Sequence, residues 1–283
     1  MLNSITARND KGCYRYFKGV RLFMDYVNLR VKILEYEEIS EDILKDIIEM
    51  ARGESLGKII SNVNIKAMKT FISSGFQIEG MIYGFFKGED ALCVSYFLDS
   101  KRAASAEKDK EDAIIQRCME SKSSFKLKDM EDITMRDALR GDIFHMTELF
   151  KAVFETYPSP VFDEEYIKSN LNKTALYKVA CIDGRVVAAA SADMDKDNLN
   201  AEITDCATYP QYRGRGILSN LIYYLEQDLK ERNFYCAYSL SRAINPGINM
   251  ALCKHGYKYT GRMLNNCDIC GSFEDMNIWS KTL

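Results

Sequence analysis

The chain has 283 residues, 47% of them apolar, and a formal charge of −3, enough for one large domain or two small ones with their own cores. Near-neutral charge leaves no electrostatic footprint for nucleic acid, and no run approaches the ~20 apolar residues that a membrane span needs. Nine cysteines scattered through apolar segments read as free thiols in a reducing compartment rather than a disulfide framework. Residues 1–10 lack the apolar stretch of a signal peptide, so a cytoplasmic location is expected. Cys267 and Cys270 have no second pair at zinc-ligand spacing, and no metal is expected.

In chain order, Tyr14, Tyr16 and Phe17, then Val20, Leu22 and Phe23, predict strands around a turn near Gly19. Residues 27–36 alternate with period two over most of their length, as a half-buried strand does. Ser40 followed by Glu41, Asp42, Ile43, Leu44, Ile47 and Ile48 predicts a capped amphipathic helix ending near Gly53. A short strand at 58–62 and a helix over 64–74, stopped by Gly75, follow. Strands at 76–86 and 91–98 around a turn at 87–90 complete the first half. Residues 101–128 are charged with alternating signs and predict a solvated helix or linker. The expected division is therefore 1–100, a connecting segment 101–129, and 130–283.

The second half opens with a strand at 133–138 and helices at 141–155 and 163–172, separated by Tyr157-Pro-Ser-Pro. Strands at 176–182 and 185–194 form a hairpin around Asp183-Gly184. A strand at 199–208 ends before Pro210, and Ile217, Leu218, Leu221, Ile222, Leu225 and Leu229 put one apolar stripe on a helix over 215–232. A strand at 234–241, a helix at 246–255 and strands at 257–264 and 275–281 finish the chain. The succession strand, helix, strand, helix, strand, strand thus occurs twice, and Phe71, Gly75, Phe76 and Gly80 align with Leu252, Gly256, Tyr257 and Gly261. That is an internal repeat. In the first copy, residues 35–42 hold no glycine and at least four acidic groups, which repel phosphate, so this half reads as a scaffold without a cofactor site.

The turn between strand 199–208 and its helix carries the clearest chemistry. Gly214 and Gly216 can take positive φ and admit a ligand against the backbone. The helix start presents unpaired N–H groups and the positive end of a dipole, and Arg213 and Arg215 add charge. Such a turn is a phosphate seat.

Gln211, Arg213, Gly214 and Gly216 match the Q/R-x-x-G-x-G/A signature of the Gcn5-related N-acetyltransferase (GNAT) superfamily, and Asn245 with Gly256-Tyr257 match its next segment. Residues 130–283 resemble that superfamily. The run from Glu202 to Gly216 and the stretch from Leu264 to Trp279 are similar to bacterial and archaeal beta-lysine N-acetyltransferases, whose overall layout the N-terminal half also matches. The resemblance implies an α/β (α+β) chain: a C-terminal GNAT fold with a mixed, splayed sheet flanked by helices, preceded by a smaller degenerate GNAT-like half-domain. It implies acetyl-CoA as donor, its pyrophosphate at Gln211, Arg213, Gly214, Arg215, Gly216 and Ile217, its pantetheine on the backbone of Cys206, Ala207 and Thr208, with Asn245 nearby. It also implies the terminal amine of beta-lysine as acceptor, giving an osmolyte. Another small amine, a protein lysine, and a non-catalytic acyl-CoA-binding module stay open as alternatives, as does the oligomeric state.

An alkylammonium with a pKa of about 10.4 must lose a proton before it attacks a thioester. Glu202 and Asp205 are the candidate bases, Glu202 favoured; regular alternation puts them on opposite faces unless a bulge intervenes. At the family's usual tyrosine position stands Leu252, leaving Cys253, His255 and Tyr257 as candidate proton donors. Asp193, beside Asp195 and Asp197, is a candidate for the acceptor's amines, and Arg242 with Asn245 for its carboxylate. Asn265, Asn266, Asp268 and Glu274 read as a loop before the last strand.

Overall fold

A computed structural model describes residues 12–283; residues 1–10, read above for a signal peptide, lie outside the described residues. The first half comprises β1 (Cys13–Phe17), β2 (Val20–Asp25), β3 (Arg30–Glu35), α1 (Glu41–Gly53), β4 (Lys58–Val63), α2 (Ile65–Ser73), β5 (Gln77–Phe86) and β6 (Glu89–Phe97). A connecting helix α3 (Lys108–Glu120) leads to β7 (Thr134–Asp137), α4 (Ile143–Val153), α5 (Glu164–Asn170), β8 (Ala175–Ile182), β9 (Arg185–Asp195) and β10 (Asn200–Thr208). The chain closes with α6 (Ile217–Glu231), β11 (Cys236–Arg242), α7 (Pro246–Lys254), β12 (Lys258–Ile269) and β13 (Ser272–Thr282).

The strands form a six-stranded sheet in the order β1-β2-β3-β4-β6-β5 and a seven-stranded sheet in the order β12-β13-β11-β10-β9-β8-β7. Each sheet has one parallel pair, β3 with β4 and β10 with β11, and each parallel pair is followed in space by the last strand and then the penultimate one. The repeat is therefore one of topology as well as sequence. Its aligned glycines meet: a Cβ built on Gly261 would lie 2.6 Å from the Cα of Gly80 and 2.1 Å from the Glu79 carbonyl oxygen. No larger residue fits where the two copies cross.

Period two explains how the halves join. On β3, Val31 and Ile33 enter a core with Leu44, Ile47 and Ile48 of α1 and Phe71 of α2, so Arg30 and Lys32 face the other way. That second face is covered by the C-terminal sheet: Ile60, Ile82, Phe85 and Cys93 share a core with Cys236, Met263, Met276 and Ile278. Polar ties run through it. The fully buried Lys58 Nζ donates to Glu79 Oε2 at 2.8 Å and to the Leu264 carbonyl at 2.7 Å, and the Leu264 N–H donates to Glu79 Oε1 at 2.6 Å. The sheets pack face to face, with a cavity left between them.

Two expectations change. The connecting segment is not wholly solvated, because Arg102, Glu111 and Cys118 are buried. Arg102 donates to the carbonyls of Asn28, Leu29 and Asn265 and lies over the Phe273 ring at 3.8 Å, while Glu111 pairs with Arg262 of β12. β12 and β13 are also longer than their periodicity suggested, turning at Cys270-Gly271. Asn265, Asn266, Asp268 and Glu274 accordingly lie on paired strands rather than a loop, held by register shifts that interrupt alternation between Met263 and Cys267.

Candidate active site

β10 positions the chemistry. It pairs in parallel with β11 only from Asn200 to Glu202, although both strands continue to Thr208 and Arg242. The strands diverge beyond that point, opening the sheet. On the other side, the register with β9 slips between Thr204 and Ala207, so Asp205 and Cys206 together oppose one residue. Asp205 takes φ +47° in this bulge, and its carboxylate and that of Glu202 line the same cavity. The bulge is what overrides period-two alternation.

The cavity holds about 210 Å³ and is lined from both sheets: Arg30, Lys32 and Ile60 from the N-terminal half, Asp193, Glu202 and Asp205 from the central strands. The loop after α4 closes it with Phe154, Thr156 and Tyr157. Asp193 and Glu202 are cross-strand partners. Burial and then the charges of Asp205 and Glu202 push the Asp193 carboxyl well above its ordinary range. Burial likewise raises Glu202, which Lys32 across the cavity partly offsets. Asp205 is raised by burial against hydrogen bonds that favour its charge: Ser191 Oγ and the Tyr177 hydroxyl donate to Oδ2 at 2.9 and 3.2 Å. Its Oδ1 is buried without a partner among the described residues. Three crowded carboxylates of this kind attract cations and hold protons at higher pH than free ones.

The cations are less evenly available. Arg242 also lines the cavity, but its guanidinium grips Glu274 through two bonds of 2.7 and 2.6 Å. Arg30 donates to Asp25 at 2.8 Å and to the Asn266 carbonyl at 2.7 Å. Lys32 has no hydrogen bond or ion pair among the described residues, and burial followed by repulsion from Arg30 lowers its pKa. Asn245, at the cavity mouth, caps α7 by accepting from the N–H groups of Gly247 and Ile248.

The glycine turn, expected from the sequence to seat a phosphate, lies at the far end of β10. Gly216 is the N-cap of α6 with φ +93°, and no side chain caps the helix; Ser40 caps the equivalent α1. The first turn of α6 is thus without a side-chain cap, whereas in the other copy the Ser40 hydroxyl accepts from the Ile43 N–H. Arg213 is exposed, its Nε donating to the Thr208 carbonyl at 3.1 Å, whereas Arg215 is paired with Asp132. Ile217 is buried in the core below, and Gln211 is exposed in the short turn Pro210–Tyr212. A further cation comes from the connecting segment: Lys128, fixed through its backbone by Asn220, reaches the Arg215 carbonyl with Nζ at 3.3 Å and lies against Gly216. The cradle of uncapped helix amides, exposed backbone and two cations held only by backbone carbonyls suits a pyrophosphate.

Residues 143–257 match the family model described as the acetyltransferase (GNAT) family. Over 86% of its length the chain is 38% identical to a beta-lysine N(6)-acetyltransferase of Methanosarcina mazei, covering 97% of that protein. The chain belongs to the GNAT acetyltransferase family. It is 34% identical to the N-acetyltransferase YodP of Bacillus subtilis over 94% of this chain and 97% of that protein. With a beta-lysine N(6)-acetyltransferase of Methanococcus maripaludis it shares 28% identity over 90% of this chain and 93% of the relative. A solved phosphinothricin acetyltransferase of Sinorhizobium meliloti aligns with 54% of this chain and 89% of that one, at 21% identity and a TM-score of 0.48.

This GNAT acetyltransferase keeps Leu252 fully buried in the core, and Cys253, His255 and Tyr257 are not among the residues lining the cavity. Cys253 donates to the Cys118 carbonyl, and His255 stacks on Phe125 and faces Glu226. Tyr157 lines the cavity instead, its hydroxyl 3.3 Å from Thr204 Oγ1 and accepting from the Asp205 N–H at 3.1 Å. Burial and the nearby Asp205 push its phenol well above the ordinary range, so it stays protonated. In sequence Tyr157 marks only a helix break; its place in the cavity wall comes with the bulge it bonds to. Asn249 is also invisible to periodicity: fully buried, it accepts from Ser241, Asn277 and Trp279 and donates to the carbonyls of Arg242 and Asn245, fixing the β11–α7 corner of the cavity.

Proposed function

We propose that the enzyme transfers the acetyl group of acetyl-CoA to the terminal amine of beta-lysine in the cytoplasm, yielding a neutral-amide osmolyte. The observation that carries this reading is a small cavity, lined by charges of both signs, at the point where β10 and β11 part. Its volume of about 210 Å³ is below the ~300–1,000 Å³ of drug-sized sites, which favours a small whole molecule over a protein segment. Two relatives carrying the beta-lysine name along most of the chain support the same acceptor.

In this reading the amides of residues 214–217, with the side chains of Arg213 and Lys128, hold the pyrophosphate, Gln211 flanks it, Asn245 stands at the cavity mouth on the cofactor's path, and the backbone of Cys206, Ala207 and Thr208 holds the pantetheine. Acetyl-CoA, when bound, supplies an already activated thioester. Glu202 takes the proton from the acceptor's terminal ammonium, and Asp193 and Asp205 hold that cation and the second amine. As the carbon–sulfur bond breaks, Tyr157 gives a proton to the departing CoA thiolate, the task for which Leu252 offers nothing. Holding amine and thioester together contributes much of the rate.

Release of CoA, followed with a thiol reagent, should be fastest with beta-lysine, slower with lysine and slowest with a lysine-containing peptide. Tight acetyl-CoA binding without CoA release for any amine would identify a non-catalytic acyl-CoA-binding module instead.

A further inference from the structure

We propose that Lys32, supplied by the N-terminal sheet, seats the carboxylate of the acceptor and makes the site selective for amino acids over simple amines. This rests on the reading of the cavity as the acceptor site. β3 alternates, with Val31 and Ile33 buried in the N-terminal core and Arg30 and Lys32 on the face that lines the cavity. Of the three cations along the cavity, Arg30 is engaged by Asp25 and Arg242 by Glu274. Lys32 makes neither a hydrogen bond nor an ion pair among the described residues; the Phe23 ring, 5.9 Å away, is the contact of its ammonium group.

A charge inside a cavity is costly unless something neutralises it. Glu202 attracts Lys32, yet the two form no ion pair, so an occupant can lie between them. The acidic wall of Asp193, Glu202 and Asp205 calls for cations and the opposite wall for one anion. A diamine satisfies only the first wall. An amino acid with an additional amine satisfies both, and its carboxylate at Lys32 leaves the chain free to extend its terminal amine toward Glu202. The half that carries no phosphate loop thereby supplies half of the acceptor site.

The test compares beta-lysine with its carboxamide, which keeps both amines and loses the anion, in wild type, Lys32→Met and Lys32→Arg. Wild type should prefer the acid by about 10- to 100-fold in kcat/KM, the range of a charge-assisted hydrogen bond, and mainly through KM. Lys32→Met should lose that acid-to-amide preference, and Lys32→Arg should restore part of it. Thermal melting and acetyl-CoA binding by the Met variant report separately on its fold. Equal use of acid and amide by wild type, or an undiminished preference in Lys32→Met, overturns the assignment of Lys32. Wild-type turnover of neither compound, with acetyl-CoA still bound, overturns the acceptor reading itself and the role of Lys32 with it.

Discussion

Glu202→Gln removes the proposed base without changing the shape of the cavity. At neutral pH only about one in 10³ molecules of an amine with pKa ~10.4 is unprotonated, so an enzyme without its base must wait for that fraction. General bases typically contribute 10²- to 10⁴-fold, or ~2.7–5.5 kcal/mol. The lower end applies here, because Asp205 lines the same cavity with an unpartnered Oδ1 and can accept part of the load. At neutral pH kcat/KM should fall about 10²-fold. The pH profile gives the sharper readout. Wild type should be flat above the raised pKa of Glu202 and fall below it, since the base must be ionised and burial lifts its pKa above the ordinary 4.5. The Gln variant should instead gain activity as pH rises toward the amine pKa, as free amine accumulates and outruns the proton transfer left to Asp205. Stopped-time CoA release at saturating acetyl-CoA measures both. A variant within threefold of wild type and parallel to it across that pH range refutes the assignment.

Gly216→Ala should raise the KM for acetyl-CoA about tenfold or more with little change in that for the amine. It forces φ +93° on a residue with a side chain, a cost of ~1–2 kcal/mol, and puts a methyl 3.1 Å from Lys128; an unchanged KM counts against the phosphate seat. Asp193→Asn should stabilise the free enzyme while weakening the acceptor. The Asp193 pKa is raised in the fold, so the penalty is absent at low pH, where folded and unfolded states are both protonated, and develops as pH rises through the folded pKa. Melting temperature should therefore rise at pH 8 and change much less at pH 4, and the reverse order would contradict the crowded-carboxylate account. Glu79→Gln should cost about 3–5 kcal/mol in denaturant unfolding by stranding the buried Lys58, whereas Lys58→Met combined with Glu79→Leu should recover much of it. Equal instability of the single and double variants would show that the pair is not what the interface requires.

Local patterns determine much of this protein by themselves. Ser40 caps α1, Asn64 caps α2, the stripe from Ile217 to Leu229 is a helix, and the doubled order of elements is a doubled topology, because caps, periods and turn glycines act within a few residues. The glycine turn and the paired acids of β10 are legible for the same reason. Tertiary structure decides what those residues face. Alternation marks Arg30 and Lys32 as the polar side of a strand, which sequence reads as the solvent side; they line a cavity because a second sheet covers them. A one-residue bulge brings Asp205 beside Glu202, Tyr157 and Lys128 arrive from segments read as a break and a linker, and Arg242 is neutralised by Glu274 from β13. These are long-range pairings. Local physics fixes the elements and the glycine turn, while the packing of two copies face to face fixes which charges line the cavity.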